Sequence, residues 1–188
     1  MARNRCKEHL LDTATNLFSK NGYHATGIDA IIEEAGVSRM SLYNNFTSKD
    51  ALIEAVLSRH HERIAEWVKG IIESADDANV RFDRLFDEFG RRWSSDDFHG
   101  CPFVNAIAEY SDADHPVHQF SRNHKEQIEG LLSKLALDIG SMRPDETASQ
   151  LMLIVDGGAF RAHLLGDKLA HETARAAARA VVDASKTP

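Results

Sequence analysis

Residues 38–46 read SRMSLYNNF and combine several side chains that could hydrogen-bond to DNA. Leu42 and Phe46 are four residues apart and predict the buried side of a short helix. Arginine can pair with guanine and asparagine with adenine in the major groove, while tyrosine and serine can bind phosphates. The face predicted to point outward consists of Arg39, Met40, Ser41, Tyr43, Asn44 and Asn45.

A second helix should precede this segment and hold it outward. Thr26 is a preferred N-cap residue, and Asp29 three positions later completes a capping-box pattern. Gly36 can adopt the left-handed conformation that ends a helix, and Ser38 can cap the next one. The apolar face between these signals is formed by Ile28, Ile31, Ile32 and Ala35. The pattern predicts a helix-turn-helix unit, and its polar outward face argues against a hairpin that merely packs.

Residues from about Arg5 to Leu57 resemble the DNA-binding domain of the TetR family of bacterial transcriptional regulators. The resemblance is carried by LFSKNGYHATGIDAIIEEAGVS, SLYNNF and SKDAL. It implies a homodimeric regulator of double-stranded DNA, most often a repressor, released from a palindromic operator by a small effector. It also implies the contacts: Ser38 to Phe46 in the groove, phosphates held by Thr26, Tyr43 and Lys49, and bases approached by Arg39, Met40, Ser41 and Asn44.

One base-reading position departs from the family pattern, because Asn44 stands where bulkier or basic residues are common after the tyrosine. The sequence also leaves open whether the regulator represses or activates, since both need the same groove contacts. The effector and the operator sequence are not disclosed by the residues.

The whole chain is predicted to be all-α. A three-helix helix-turn-helix domain over residues 1–50 is followed by a helical effector-binding and dimerisation domain over 51–188. A long helix, capped by Ser48 and continuing to about Ile72, should join them without a flexible linker. Further helices are predicted at about 78–93, 102–110, 116–139, 144–165 and 171–184.

Composition excludes several other classes. No apolar run is long enough to cross a membrane, and the N-terminal MARNRCKEHLL lacks the apolar core of a signal peptide. Cys6 and Cys101 are too few for a disulfide framework, so we expect a reduced, cytoplasmic protein. No glycine-rich phosphate loop, GxSxG elbow or HExxH motif occurs, so we predict neither an enzyme nor a cofactor.

The negative charge is unevenly distributed along the chain. Residues 1–60 hold equal numbers of basic and acidic side chains, so the whole net charge of −7 falls after residue 60. Even the first sixty residues have no basic excess. We therefore expect modest nonspecific affinity for DNA with a strong salt dependence.

The C-terminal half should supply the effector pocket, because apolar walls with a few polar groups suit a small molecule. Each aromatic residue in the predicted lining could also be an ordinary core residue, and the expectation of a pocket comes from the resemblance. The predicted lining is Trp93, Phe103, Ile107, Tyr110, Phe120, His124, Met152, Asp156, Phe160 and His163.

The dimer interface is predicted on the last two helices, where the resemblance implies a four-helix bundle with the partner. A glycine inside a helix costs about 1 kcal/mol relative to alanine, so the pair Gly157 and Gly158 requires the close approach of another helix as compensation. The alternative is ordinary packing within one chain. The predicted interface is Leu151, Val155, Gly158, Ala162, Ala174, Ala178 and Val181.

Two further chemistries stay open as alternatives. Cys101 precedes a helix start in GCPFVNAIAEY and could sense oxidants or electrophiles, as some members of one branch of the family do, or it could be inert packing. Another hypothesis is a helical ligand-binding protein that no longer uses its DNA-binding domain. A metal site is the weakest reading, although Asp112, Asp114, His115 and His118 offer ligand atoms near one loop.

Overall fold

A computed structural model describes residues 2–74 and 77–187, with the side chains described from residue 5 onward. Met1, residues 75–76 and Pro188 lie outside the described residues, as do the parts of the domain predictions that fall on them. Within the described residues all regular structure is helical, which confirms the all-α prediction. The helices are α1 (Ala2–Asn21), α2 (Ile28–Ala35), α3 (Arg39–Tyr43), α4 (Lys49–Ile72), α5 (Ala78–Trp93), α6 (Pro102–Glu109), α7 (Pro116–Ile139), α8 (Pro144–Leu165) and α9 (Ala170–Ser185).

The chain forms two compact units. Unit 1 contains Met1–Glu62 and Pro102–Arg122, and unit 2 contains Arg63–Cys101 and Asn123–Pro188. Helix α4 is continuous from Lys49 to Ile72. The predicted boundary between residues 50 and 51 separates a DNA-binding from an effector-binding domain, whereas the two units are defined by compactness. The boundary therefore stays a prediction. None of the helices in the described part of the chain combines the length and hydropathy needed to cross a bilayer.

The turn between α2 and α3 forms through the two residues that the sequence indicates. Gly36 has φ 61° and ψ 32°, and its N–H binds the carbonyls of Ile32 and Glu33 at the end of α2. Only glycine enters this left-handed region at little cost. Ser38 Oγ then accepts the N–H of Ser41 at 3.1 Å and caps α3. Both predictions are confirmed.

The start of α2 differs from the capping box that the sequence predicts. Gly27, and not Thr26, is the N-cap residue, and no side chain caps it. The Thr26 hydroxyl instead donates to the Gly22 carbonyl at 2.7 Å, with Leu17 O a second acceptor at 3.3 Å. The predicted cap is therefore wrong by one residue, because the carbonyls at the end of α1 take the hydroxyl first.

The core of unit 1 holds α2 and α3 against α1. Ile31 and Leu42 are fully buried, and each contributes about 1.5–3 kcal/mol relative to an exposed side chain. Arg59 of α4 donates to Asp12 Oδ1 at 2.7 Å and to Thr15 Oγ1 at 2.6 Å, which ties α4 to α1. His9 Nε2 lies 3.0 Å from the Ala35 carbonyl at the end of α2. The short α3 is thus fixed from beneath, with its other face in solvent.

The core of unit 2 is built on aromatic side chains of α5 against α8 and α9. The rings of Phe89 and Trp93 stack with centroids 5.2 Å apart. Trp93 also lies directly over Gly158, where a Cβ would come within 2.6 Å of the indole carbons and 3.2 Å of Ala174 Cβ. The compensation that Gly158 requires therefore comes from within the same protomer.

Candidate nucleic-acid interface

The outward face of α3 carries the side chains predicted to read bases. Met40 is 74% exposed and Tyr43 45% exposed, so neither side chain is packed into the core of unit 1. Arg39 and Asn44 are also exposed, and Ser41 is half-buried. The structure thus brings the predicted groove residues onto one surface, which suits insertion into the major groove of a duplex.

Two of the predicted contact residues have other tasks in the free protein. Ser38 Oγ caps α3 and lies 3.0 Å from the Ser41 hydroxyl. Lys49 donates to the His24 carbonyl at 3.2 Å from an exposed position at the start of α4. An ammonium group in this position remains able to turn toward a phosphate, since an exposed hydrogen bond is readily exchanged.

Thr26, which is also predicted to hold a phosphate, is buried in unit 1. Its side chain is 2% exposed, and its hydroxyl is used by carbonyls inside unit 1. The side chain therefore cannot reach a phosphate without leaving those partners.

A feature that sequence reasoning missed is the ion pair between Asp29 of α2 and Arg39 of α3. The contact joins Asp29 Oδ1 to Arg39 Nη2, and both side chains are largely exposed. The sequence assigns Asp29 to a capping box, and a separation of ten positions gives no spacing signal by which the pair could be found.

A second missed feature is the carboxylate of Glu109 at the end of α6. Glu109 Oε1 accepts the backbone N–H of Tyr23 at 2.8 Å, and Oε2 accepts that of His24 at 2.5 Å. These two N–H groups belong to the loop between α1 and α2, immediately beside the carbonyl that Lys49 binds. A residue late in unit 1 therefore fixes the backbone next to the candidate DNA surface.

Tyr110, which follows Glu109, extends this contact to α4. Its hydroxyl donates to Asp50 Oδ1 at 3.3 Å, and its ring lies 4.6 Å from the ring of His24 and 4.6 Å from that of His115. Burial raises the pKa of the Tyr110 phenol above its ordinary range, and the negative charges of Asp50 and Glu109 raise it further. The phenol therefore stays protonated and remains a donor.

The ten residues predicted for an effector pocket are divided between the two units. Phe103 and Tyr110 are buried in unit 1, with Ile107 and Phe120 half-buried there. In unit 2 the environments differ more widely. Trp93, His124 and Met152 are buried, Asp156 is half-buried, and Phe160 and His163 are exposed. One shared pocket stays a prediction.

Asp156 forms an ion pair with Lys125 of α7, and the thiol of Cys101 lies near the same ammonium group. Burial lowers the pKa of Lys125, but the hydrogen bonds and charges offered by Cys101 and Asp156 outweigh it, so that this pKa is raised overall. Lys125 therefore remains charged at neutral pH beside a half-buried thiol.

The residues predicted for the dimer interface mostly face the inside of the protomer. A Cβ on Gly158 would lie 2.6 Å from the Trp93 indole and 3.2 Å from Ala174 Cβ, so Gly158 packs within the protomer. Five of the seven predicted residues are buried in the protomer, Val155 and Val181 are half-buried, and the interface stays a prediction. The buried ones are Leu151, Gly158, Ala162, Ala174 and Ala178.

Another face of α8 is apolar and open to solvent instead. Leu153, Phe160 and Leu164 are 73%, 62% and 62% exposed, and their spacing of seven and four residues places them on one stripe. Gly157 lies on the same stripe, with nothing within 4 Å of a Cβ placed there.

The side chains considered for a metal site take separate partners. His115 Nε2 lies 3.6 Å from Asp50 Oδ2, whereas His118 Nδ1 lies 2.7 Å from the Tyr110 carbonyl. Asp112 Oδ1 accepts the N–H of Asp114 at 3.0 Å. Across the described residues, no three side chains of His, Cys, Asp or Glu are grouped as metal ligands.

Comparison with known proteins gives the helix-turn-helix surface a family context. Residues 10–56 match the family described as bacterial regulatory proteins, tetR family. The chain is 35% identical over 89 residues to the transcriptional activator FasR of Mycolicibacterium smegmatis, a match that covers 47% of this chain and 41% of FasR. It is 31% identical over 111 residues to the transcriptional repressor DhaR of a Mycobacterium species, which covers 59% of this chain and 55% of DhaR. The matches thus span about half of each relative.

The likeness extends over the full length of a solved structure. A TetR-family transcriptional regulator from Streptomyces coelicolor superposes with a TM-score of 0.93 and 30% sequence identity. The match covers 98% of this chain and 97% of that one. Both the helix-turn-helix and the helical C-terminal part therefore share one fold with that regulator.

Proposed function

Because this chain belongs to the TetR family of bacterial transcriptional regulators, we propose that it is a homodimeric repressor, released from a palindromic operator by a small molecule. It is a DNA-binding regulator and not an enzyme. The observation that carries the proposal is the solvent-exposed face of α3, on which Arg39, Met40, Tyr43 and Asn44 lie together above a buried Leu42. Since it would act on bacterial DNA, we propose a cytoplasmic location.

Repression is favoured over activation by the simplicity of its requirements. A repressor needs only to occupy its operator, whereas an activator must in addition contact the transcription machinery. Two matched relatives have opposite roles, since FasR is an activator and DhaR a repressor. The exposed surface described for α3 meets the requirement of a repressor without a further partner.

Dimerisation is proposed through the exposed stripe of Leu153, Phe160 and Leu164 on α8. Isolated apolar side chains on a surface are common, but three on one helical stripe indicate a partner. A two-fold axis would then present two copies of α3 to half-sites about one helical turn, roughly 34–36 Å, or a multiple of it apart.

Release requires that the effector favour a state with lower DNA affinity. An effector can shift the equilibrium only by its differential affinity for the two states, and DNA must weaken effector binding by the same factor. Glu109 offers unit 1 a means of response, because its two hydrogen bonds fix the backbone of Tyr23 and His24 next to Lys49. A shift of α6 would move that backbone with it.

The effector site is proposed to involve the buried and half-buried predicted residues of unit 2, which are Trp93, His124, Met152 and Asp156, extended by Trp67 of α4. The Trp67 ring packs edge-on against Phe89 at 5.4 Å, and its indole N–H is buried without an acceptor in the described part of the chain. A buried donor without an acceptor costs free energy. An effector with a carbonyl or carboxylate oxygen would supply the missing acceptor.

A second candidate function is thiol sensing at Cys101, favoured by the neighbouring Lys125 ammonium. The Lys125 ammonium donates a hydrogen bond to the half-buried Cys101 sulfur, and replacing Lys125 removes that contact. Native protein treated with a maleimide near neutral pH should be labelled at Cys101 and less so in Lys125→Met, with the half-buried Cys6 as internal reference. Absence of label at Cys101 would eliminate this candidate.

The test of the proposed function is selection from a pool of random DNA duplexes by the purified protein, followed by sequencing. We expect a palindromic motif to be enriched, because two symmetric copies of α3 read two half-sites. No enrichment, even at low salt, would contradict a sequence-reading dimer and favour a ligand- or thiol-binding protein.

A further inference from the structure

The ion pair between Asp29 and Arg39 joins the two helices of the helix-turn-helix at the surface predicted to face DNA. We infer that Asp29 is a positioning residue, which orients Arg39 for reading a guanine. The inference rests on the proposed function, since it assumes that α3 enters the major groove. Neither side chain caps a helix, because α2 is capped at Gly27 without a side-chain bond and α3 is capped by Ser38, although Asp29 does lie in the first turn of α2, where a negative charge is favourable.

The geometry of arginine allows one side chain to serve both partners. A guanidinium carries five N–H donors in a planar fork. Asp29 Oδ1 engages one N–H of Nη2, so that the second Nη2 N–H stays available together with the parallel N–H of the neighbouring nitrogen. Two parallel donors match O6 and N7 of guanine in the major groove. A long side chain held in one orientation before binding loses less conformational freedom when the complex forms.

The charge of the pair favours base reading over phosphate binding. Asp29 offsets the positive charge of Arg39, so the two together attract the DNA backbone little. Lys49, by contrast, binds a neutral carbonyl in the free protein and keeps its full charge for a phosphate. Arg39 is therefore suited to a base contact and Lys49 to a phosphate contact.

The exposure of the pair separates this role from a purely structural one. The Asp29 side chain is 83% exposed and that of Arg39 57% exposed. Ion pairs in water contribute little to folding stability. Replacing Asp29 should consequently leave the fold intact and change only how DNA is read.

The experiment compares DNA selection by the wild type, Asp29→Asn, Arg39→Ala and Glu33→Gln. Glu33→Gln is the matched control, because it removes one negative charge from an exposed position of the same helix without touching Arg39. We expect Asp29→Asn to reduce discrimination at one G·C pair per half-site about tenfold, in line with the weight of a bidentate contact. Arg39→Ala should reduce discrimination at the same G·C base pair. The double variant Asp29→Asn/Arg39→Ala should discriminate at that base pair no less than Arg39→Ala alone.

Three results would overturn the inference. If Asp29→Asn and Glu33→Gln give the same motif and the same rise in nonspecific affinity, Asp29 acts through net charge alone. If Arg39→Ala leaves the wild-type motif unchanged, Arg39 reads no base and there is nothing to position. If the wild type itself selects no motif, the proposed function fails and the inference fails with it. Selection by the wild-type protein alone identifies this outcome.

Discussion

Glu109 Oε1 accepts the backbone N–H of Tyr23 at 2.8 Å, across 86 positions of the sequence. The second oxygen accepts the N–H of His24, so that one carboxylate holds two consecutive residues of the loop between α1 and α2. The fit is close, because a Cβ on Gly22 would lie 2.9 Å from Glu109 Oε1, and Gly22 itself has φ 87°. The loop beside Lys49 thus has its shape set by a residue of α6.

Replacing Glu109 by alanine should loosen this loop. Hydrogen bonds to charged groups contribute about 1.5–3 kcal/mol each when buried, and partial exposure of Glu109 reduces the expected loss in the free energy of unfolding to about 1–2 kcal/mol in all. Glu109→Gln should lose less, because it keeps one acceptor oxygen in place. Amide hydrogen exchange at Tyr23 and His24 is the direct readout and should accelerate. The control is Glu34→Ala, an exposed acid of α2. Equal exchange in the two alanine variants would contradict the role of Glu109.

Lys49→Ala and Asn44→Ala should weaken DNA binding in different ways. Removing the Lys49 charge should reduce affinity for every duplex together and lower the salt dependence of binding by about one phosphate contact. Asn44→Ala should reduce affinity for the operator more than for random DNA, because a bidentate base contact is worth about 1–3 kcal/mol of discrimination. Fluorescence anisotropy on both duplexes at several salt concentrations distinguishes the two. Equal losses on both duplexes for Asn44→Ala would exclude base reading by that residue.

Gly158→Ala should destabilise unit 2 although alanine favours helices. The added methyl group would meet the Trp93 indole at 2.6 Å, and overpacking of this kind costs about 1–3 kcal/mol. Gly130→Ala in α7 is the control, because nothing lies within 4 Å of its Cβ, and it should stabilise by roughly 0.5–1 kcal/mol. Urea unfolding followed by tryptophan fluorescence measures both. A neutral or stabilising Gly158→Ala would show that Trp93 does not lie against α8 in solution.

Phe160→Asp should convert a dimer to a monomer, because a buried, unpaired carboxylate at an apolar interface is strongly unfavourable. Leu137→Asp places the same charge at a similarly exposed position of α7 and should leave the dimer intact. Sedimentation should give twice the 20.9 kDa chain mass for the wild type and for Leu137→Asp, and the chain mass alone for Phe160→Asp. Dissociation of Leu137→Asp but not of Phe160→Asp would place the interface elsewhere.

The sequence predicts what is decided locally. Gly36 and Ser38 act within a few residues of themselves, so the turn between α2 and α3 could be derived from residue types alone. The bounds of α7 and α8 follow in the same way from prolines at their first positions and from apolar spacing. Thr26 shows the limit, because its hydroxyl is taken by the Gly22 carbonyl, which no capping rule could foresee.

Contacts between distant residues account for the remaining differences. Glu109 binds N–H groups more than eighty residues away, and no periodicity records such a pairing. Helix α8 is apolar on two faces, and spacing alone cannot tell the face that meets α9 within the protomer from the one left in solvent. Gly158 lies on the first and Phe160 on the second, so the residues predicted for the interface from spacing are largely ones that the protomer buries.

The most direct test of sequence reading by α3 is the ratio of two affinities measured at one salt concentration. One duplex carries the motif selected by the wild-type protein, and the other has the same base pairs in shuffled order. Sequence-specific regulators bind their sites at least about 10³-fold more tightly than other DNA, and we expect a ratio of at least that size. Equal affinity for the two duplexes would show that the exposed face of α3 reads no sequence and would contradict the account.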